Sequence, residues 1–417
     1  MIEMPSIVGD VVRSVGLSTA MRAAGVVTGL LPIPQPVLLI GPGASRRLGQ
    51  ALCGFGHGKI LIVTDRTIAE MGLLSGLTEA LSEGGTAYVV FDAITPDAPI
   101  PLIEKGIAFY EQHRCDAIVA VGGGSPMDAA KTIALAVANR KHPRKLVGYF
   151  KGLRSPVPIY AVPTTAGTGS EVTVAAVVSD PQTNKKLVIA DTRLVPAMAA
   201  LDPLLMTGLP RHVTAATGMD ALTHAIEAFI GQWSTSYTDR MALAAVGMIY
   251  GNLRVAYKNG KDLAAREQMA LAATYAGLAF TRANVGYVHA IAHQLGGKYH
   301  TPHGLANAIM LPHVLKFLSP AITRKLAVLA VRAKVGKAGE RPTALAKKFL
   351  VSVEALNRDL GIPRHLPALR EADIAELAKA ACWEADTNYP VPRYMSPETC
   401  AALIRQVLPK DTRRKKR

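Results

Sequence analysis

Short apolar, β-branched runs alternate with helical stretches from residue 36 to about 205, and beyond that point only helical spacing remains. PVLLI (36–40), KILIVTD (59–65), TAYVVFD (86–92), DAIVAVGGG (116–124) and PIYAVPTT (158–165) read as strands, with segments such as IAEMGLLSGLTEALSEGG between them reading as helices. Strands this apolar are buried on both faces, which a parallel sheet covered by helices on either side provides. In the second half, LAAREQMALAATYAGLAFTRA and TALAKKFLVSVEALNRDLG carry apolar residues at helical spacing, and no strand alternation competes. The pattern predicts an α/β domain over 35–205 and an all-α domain over 206–408. An N-terminal extension (1–34) precedes them and a basic tail (409–417) follows. In such sheets, nucleotides bind at the carboxyl ends of the strands.

At 417 residues the chain can bury two cores. Its 49% hydrophobic and 19% charged residues exclude a disordered chain. No run of about 18 uninterrupted apolar residues occurs, so no membrane span is expected. The N-terminus carries Glu3 and Asp10 and does not read as a secretory signal. Cys53, Cys115, Cys382 and Cys400 form no CxxC motif. They read as free thiols in a reducing compartment, and the expected location is the cytoplasm. Of the formal charge of +16, the tail KDTRRKKR (410–417) supplies six basic residues against one acid. With only 5% aromatics to stack on bases, no nucleic-acid partner is expected. Steering of an anionic cofactor accounts for the basic balance.

Two loops have the chemistry for such a cofactor. GGGSPMDAAK (122–131) follows a strand and opens a helix. Its glycines let the backbone approach a pyrophosphate, and the helix N-terminus presents free N–H groups to it. Ser125 suits a helix cap or a phosphate contact, and Pro126 suits the first helical position. PTTAGTGSEVT (163–173) follows another strand and sets four hydroxyl residues and two glycines between Pro163 and Glu171. By contrast GPGASRRLG (41–49) lacks GxGxxG spacing and reads as a turn. Asp65 ends a strand, where a carboxylate accepts from an adenine-ribose diol and repels a 2′-phosphate, favouring NAD over NADP.

The helical half carries a candidate metal site. Asp220 and His224 in GMDALTHAIE (218–227) are four residues apart and share a helix face, as do His289 and His293 in VHAIAHQLGGKYHTPHG (288–304). His303 follows after a Gly-Gly break and a proline. Asp220 and His224 alone suit a helix-surface pair. Two histidines on an apolar helix need partners, because burying unpaired polar groups costs roughly 2–7 kcal/mol each. Asp220, His224, His289 and His303 form a ligand set for a divalent first-row metal. With a hydride acceptor nearby, the chain reads as a metal-dependent dehydrogenase. His57, His113, His142, His212, His300 and His313 are assigned no role.

These four motifs, in this order over about 35–408, resemble the iron-containing (group III) alcohol dehydrogenases. The resemblance implies the dehydroquinate synthase-like architecture, an N-terminal dinucleotide-binding α/β domain followed by a helical domain. It carries Asp220, His224, His289 and His303 over as metal ligands and likens His293 to a histidine beside the nicotinamide that relays a proton. It matches Asp65, Asp97, Gly123, Gly124, Ser125, Thr165, Thr168 and Lys186 to cofactor-contacting positions. The implied activity is NAD-linked interconversion of small primary alcohols and aldehydes. Iron is the implied metal, with zinc the alternative on affinity. A hydroxyacid–oxoacid transhydrogenase is the runner-up, and a lyase on the same fold ranks lower because only Arg282 and Lys298 supply charge over 280–310. A homodimer or higher homo-oligomer is expected.

Overall fold

The computed structural model describes residues 31–183 and 185–409, together with Gly25. The N-terminal extension and the basic tail lie outside the described residues, apart from Gly25, residues 31–34 and Pro409. Strands β1 (Val37–Ile40), β2 (Lys59–Val63), β3 (Ala87–Phe91), β4 (Ala117–Gly122), β6 (Ile159–Pro163) and β9 (Met198–Leu201) form one sheet in the order β1-β9-β6-β4-β2-β3. Every pairing in it is parallel. A second sheet joins β5 (Gly148–Tyr149), β7 (Ala175–Asp180) and β8 (Lys185–Ala190), with β7 and β8 antiparallel.

The period-two alternation of β2 and β4 builds two cores. Leu61, Val63, Ile118 and Ala120 face one cluster, and Ile60, Ile62, Val119 and Val121 face the other. Helix α4 (Ile100–His113) and helix α5 (Gly124–Asn139) cover the first, through Ile103 and Ile133. Helix α1 (Ala44–Cys53) and helix α3 (Ser75–Glu83) cover the second, while the short α2 (Arg66–Glu70) adds Ile68. Fully burying one such aliphatic side chain contributes about 1.5–3 kcal/mol, so both faces hold the sheet. The loop read as a turn opens α1, and the Asp202 carboxylate accepts from Gly43 N and Ser45 N at its start.

From Arg211 onward the described regular elements are helices. They are α6 (Arg211–Ile230), α7 (Ser236–Lys258), α8 (Leu263–Ala283), α9 (Tyr287–Tyr299), α10 (His303–Arg332), α11 (Pro342–Asp359), α12 (Ile374–Asn388) and α13 (Pro397–Arg405), with one 3-10 turn at Glu371–Asp373. The chain falls into two compact units that alternate along the sequence, where the sequence pattern suggests one boundary at 205/206. The α/β unit holds residues 31–214 and 255–281, and the helical unit holds 215–254 and 282–409. Residues 255–281 thus join the α/β unit. Gly169, at φ +62, and Gly277 on α8 bring two backbones together: a Cβ on Gly169 would stand 2.8 Å from the Gly277 Cα.

Two local expectations are corrected. Helix α9 runs through Gly296 and Gly297 to Tyr299, and ends where His300 takes a left-handed conformation and its N–H bonds Gly296 O. Two glycines cost about 1 kcal/mol each in a helix, and the buried face through Leu295 outweighs that. Helix α5 begins at Gly124, so Pro126 is its third residue, and Ser125 does not cap it. The Ser125 Oγ instead accepts from Asp97 N at 3.0 Å.

Candidate metal centre and nucleotide loops

Asp220 and His224 sit one turn apart on α6, His289 lies near the start of α9, and His303 is the first residue of α10. One donor atom from each lies within 4.8 Å of the others. The His303 Nε2 stands 3.6 Å from the Asp220 Oδ1, and the His289 Nε2 stands 4.0 Å from the same oxygen. Asp220, His224 and His289 are buried, so the surface-pair reading of the first two fails. The His224 and His289 rings stack with centroids 4.5 Å apart.

This donor set fits a divalent ion. Four donors at 2.0–2.1 Å around a tetrahedral ion stand about 3.4 Å apart, slightly closer than the separations above. The His289 Nε2 is buried without a hydrogen-bond partner, an arrangement that a bound cation would relieve. Burial, reinforced by His224, His303 and His293, holds the His289 imidazole well below the ordinary histidine range, in the neutral form that ligates.

Three supporting residues escaped the sequence reading. Glu227, one turn beyond His224, is buried in a nest of donors. It accepts from Gly286 N at 2.8 Å, from Val288 N at 2.8 Å and from His289 Nδ1 at 2.6 Å. Burial pushes its carboxyl up to about 7, against the pull of those N–H groups. With Nδ1–H given to Glu227, His289 presents Nε2 to the cluster. Asn307, one turn beyond His303, donates from Nδ2 to Asp220 Oδ1 at 2.7 Å. Both continue the helical spacing of the ligands, a signal that was present and unused. The third is Glu384 on α12, whose Oε1 accepts from His293 Nδ1 at 2.6 Å and from Tyr389 OH at 2.6 Å. No spacing links residues 91 positions apart. His293 itself stacks on His303 with centroids 5.3 Å apart.

In the α/β unit the nucleotide-loop candidates gather in groups. Lys186 Nζ lies 2.8 Å from Asp97 Oδ1, and Asp97 N bonds Ser125, so Asp97, Ser125 and Lys186 form one set. Asp97 holds φ at 68°, a left-handed conformation that aspartate tolerates and that these bonds fix. Gly123 backs onto Thr165 and Gly124 onto Thr168, where a Cβ would come within 3.3 Å of the Thr165 Oγ1 and 3.0 Å of the Thr168 Cγ2. Asp65 follows β2, next to β4 in the sheet, and its Oδ1 caps α2 by accepting from Ile68 N at 2.9 Å.

A parallel nucleotide-type sheet, together with a helical unit bearing an Asp/His₃ cluster that could hold a metal, is the arrangement expected of a metal-dependent oxidoreductase. Family comparison names it. Residues 35–203 match the iron-containing alcohol dehydrogenase model, and residues 214–408 match the C-terminal domain model of the same family. The chain is 40% identical over 375 residues to a 1,3-propanediol dehydrogenase of Klebsiella pneumoniae, covering 89% of this chain and 96% of that one. It is 37% identical over 375 residues to an NAD-dependent methanol dehydrogenase of Bacillus methanolicus, covering 89% and 98%. The crystal structure of a 1,3-propanediol oxidoreductase superposes with a TM-score of 0.88 at 38% identity, covering 91% of this chain and all of that one. The chain belongs to the iron-containing alcohol dehydrogenase family, and it is an alcohol–aldehyde oxidoreductase. Among the described residues no helix is long and apolar enough to cross a membrane. All four cysteines are free, as expected.

Proposed function

We propose that this protein is an NAD-linked dehydrogenase that interconverts small primary alcohols and aldehydes at a divalent metal, iron by family membership. The observation that carries the reading is the convergence of Asp220, His224, His289 and His303 within 4.8 Å. These four would hold the ion, whose Lewis acidity favours loss of the alcohol proton or polarises the carbonyl. The nicotinamide supplies the hydride acceptor. The protein's part is position and proton management. Glu227 fixes the His289 ring, and Asn307 orients the Asp220 carboxylate. His293, with Nδ1–H held by Glu384, keeps Nε2 as an acceptor for the alcohol proton. Gly123, Gly124, Ser125, Thr165 and Thr168 would line the pyrophosphate, with Asp97 and Lys186 beside them and Asp65 at the adenine ribose. The methanol dehydrogenase relative, NAD-dependent by name, supports the cofactor, and the 1,3-propanediol relative supports a small alcohol.

The test is elemental analysis of anaerobically purified protein, followed by a panel of small alcohols with NAD+ and with NADP+. One divalent ion per chain and NAD+-dependent oxidation are expected. Turnover that needs a 2-oxoacid acceptor and no free NAD(H) would replace this reading with the transhydrogenase.

A further inference from the structure

Lys131, in the second turn of α5, is 1% exposed, and every hydrogen bond its ammonium makes goes to one short segment. Its Nζ lies 2.6 Å from Ser170 O and 3.0 Å from Ser170 Oγ. It also lies 2.9 Å from Thr173 O, 3.0 Å from Thr173 Oγ1 and 3.0 Å from Ala175 O. One turn back, the half-buried Asp128 accepts from Ser170 Oγ at 2.9 Å and from Val177 N at 3.0 Å. The segment so held is the far end of the hydroxyl-rich loop. Between β6 and β7 that loop has one 3-10 turn, Ser170–Val172, and no strand ladder to fix it. Its near end carries Thr165 and Thr168 against Gly123 and Gly124, at the amino end of α5.

One helix therefore meets both ends of the loop. Its glycines set how closely the threonines approach, and its lysine sets where the loop returns to the sheet. Burying an ammonium is costly, and the cost is offset only where acceptors surround it. Here burial pushes Lys131 down to about 8, opposed by the charges of Asp128 and Glu171. A methionine would fill the same space without that cost, but would leave the oxygens of Ser170, Thr173 and Ala175 without their donor.

We propose that Lys131 is a positioning residue for the dinucleotide, a buried tether that holds loop 163–175 in its cofactor-ready conformation against the amino end of α5. The inference rests on the reading of these loops as the NAD site. A preorganised loop binds without first being ordered, so losing the tether weakens cofactor affinity and leaves bound-state chemistry intact.

The experiment titrates NADH, by its fluorescence, into metal-loaded wild type, Lys131→Met, Ser170→Ala and Thr173→Val, with metal content, cofactor KM and kcat measured in parallel. In Lys131→Met, NADH Kd and KM for NAD+ should rise about tenfold or more, since stranding one or more buried acceptors costs at least about 1–3 kcal/mol. Its kcat at saturating NAD+ should stay within about threefold, and its metal content should not change. Each hydroxyl deletion removes part of the cage and should raise Kd by about threefold. A folded Lys131→Met with wild-type Kd, or one that only melts earlier, overturns the proposal. If Lys131→Met does not fold, unchanged Kd in both hydroxyl variants overturns it. A wild type that binds no NADH overturns the cofactor reading itself, whereas wild-type binding with unchanged variants overturns only the tether.

Discussion

The carboxylate of Glu227 accepts the Nδ1–H of His289 at 2.6 Å, while two backbone N–H groups of the same turn, from Gly286 and Val288, hold it in place. The ring that faces Asp220 and His303 is thus aimed by a residue outside the four-donor cluster. Glu227→Gln should keep the fold and lower metal affinity by about 10–100-fold, as outer partners of ligating histidines do. Chelator competition on the purified protein measures it, and wild-type affinity would reduce Glu227 to a packing role.

His224→Ala removes a donor itself. Metal content should drop to background and activity with it, while circular dichroism stays that of the folded chain, because its helix remains packed by Leu222, Ala225 and Ile226. Full metal occupancy in this variant would show that the ion sits elsewhere.

Asp65 has two jobs that separate by mutation. On the proposed reading its charge would bear on cofactor choice, while its Oδ1 caps α2. Asp65→Asn retains a capping oxygen and discards the charge, so the preference for NAD+ over NADP+ should narrow with little loss of stability. Asp65→Gly should narrow it as well. A wild type that already favours NADP+ contradicts the assignment.

His293→Ala should retain metal and lose about 10²–10⁴-fold in kcat, the usual worth of general-base help. Glu384→Gln should lose less, since it only orients that ring. Equal rates in His293→Ala and wild type would make His293 a packing residue.

Gly304 stands where α10 touches α6. A Cβ there would meet the Ala216 carbonyl oxygen at 2.3 Å and the Asp220 Cβ at 3.2 Å. Gly304→Ala should destabilise the protein by about 1–3 kcal/mol and loosen metal binding, because the displaced helix carries Asp220. Thermal melting with and without added metal reads both effects.

The sheet was legible where its strands are β-branched. KILIV and AIVAV declare themselves, whereas MAAL of β9 carries no β signal and is a strand only because β1 and β6 flank it. The hairpin of β7 and β8 pairs residues that neither periodicity nor turn chemistry marked. Of the donor cluster, Asp220 and His224 show i, i+4 spacing on one helix, while His289 and His303 lie on separate helices and stood out only as histidines of one short motif. Their supports stood out only in part. Asn307 lies four residues beyond His303 and Glu227 three beyond His224, but Glu384 reaches His293 from a distant helix, and tertiary contacts of that kind leave no trace in one chain. Lys131 looked like the end of a glycine-rich motif, and only packing shows that it faces a different loop.

The close approach of Gly169 and Gly277 bears on how the protein is made. The α/β unit closes only with residues 255–281. About two-thirds of the chain must therefore leave the ribosome before that unit is complete, and by then its helical companion has begun to emerge. The two cannot mature one after the other in the usual N-terminal-first order. Until α8 arrives, the hydroxyl-rich loop lacks the backbone it packs against, so the nascent chain should gain dinucleotide affinity late and abruptly.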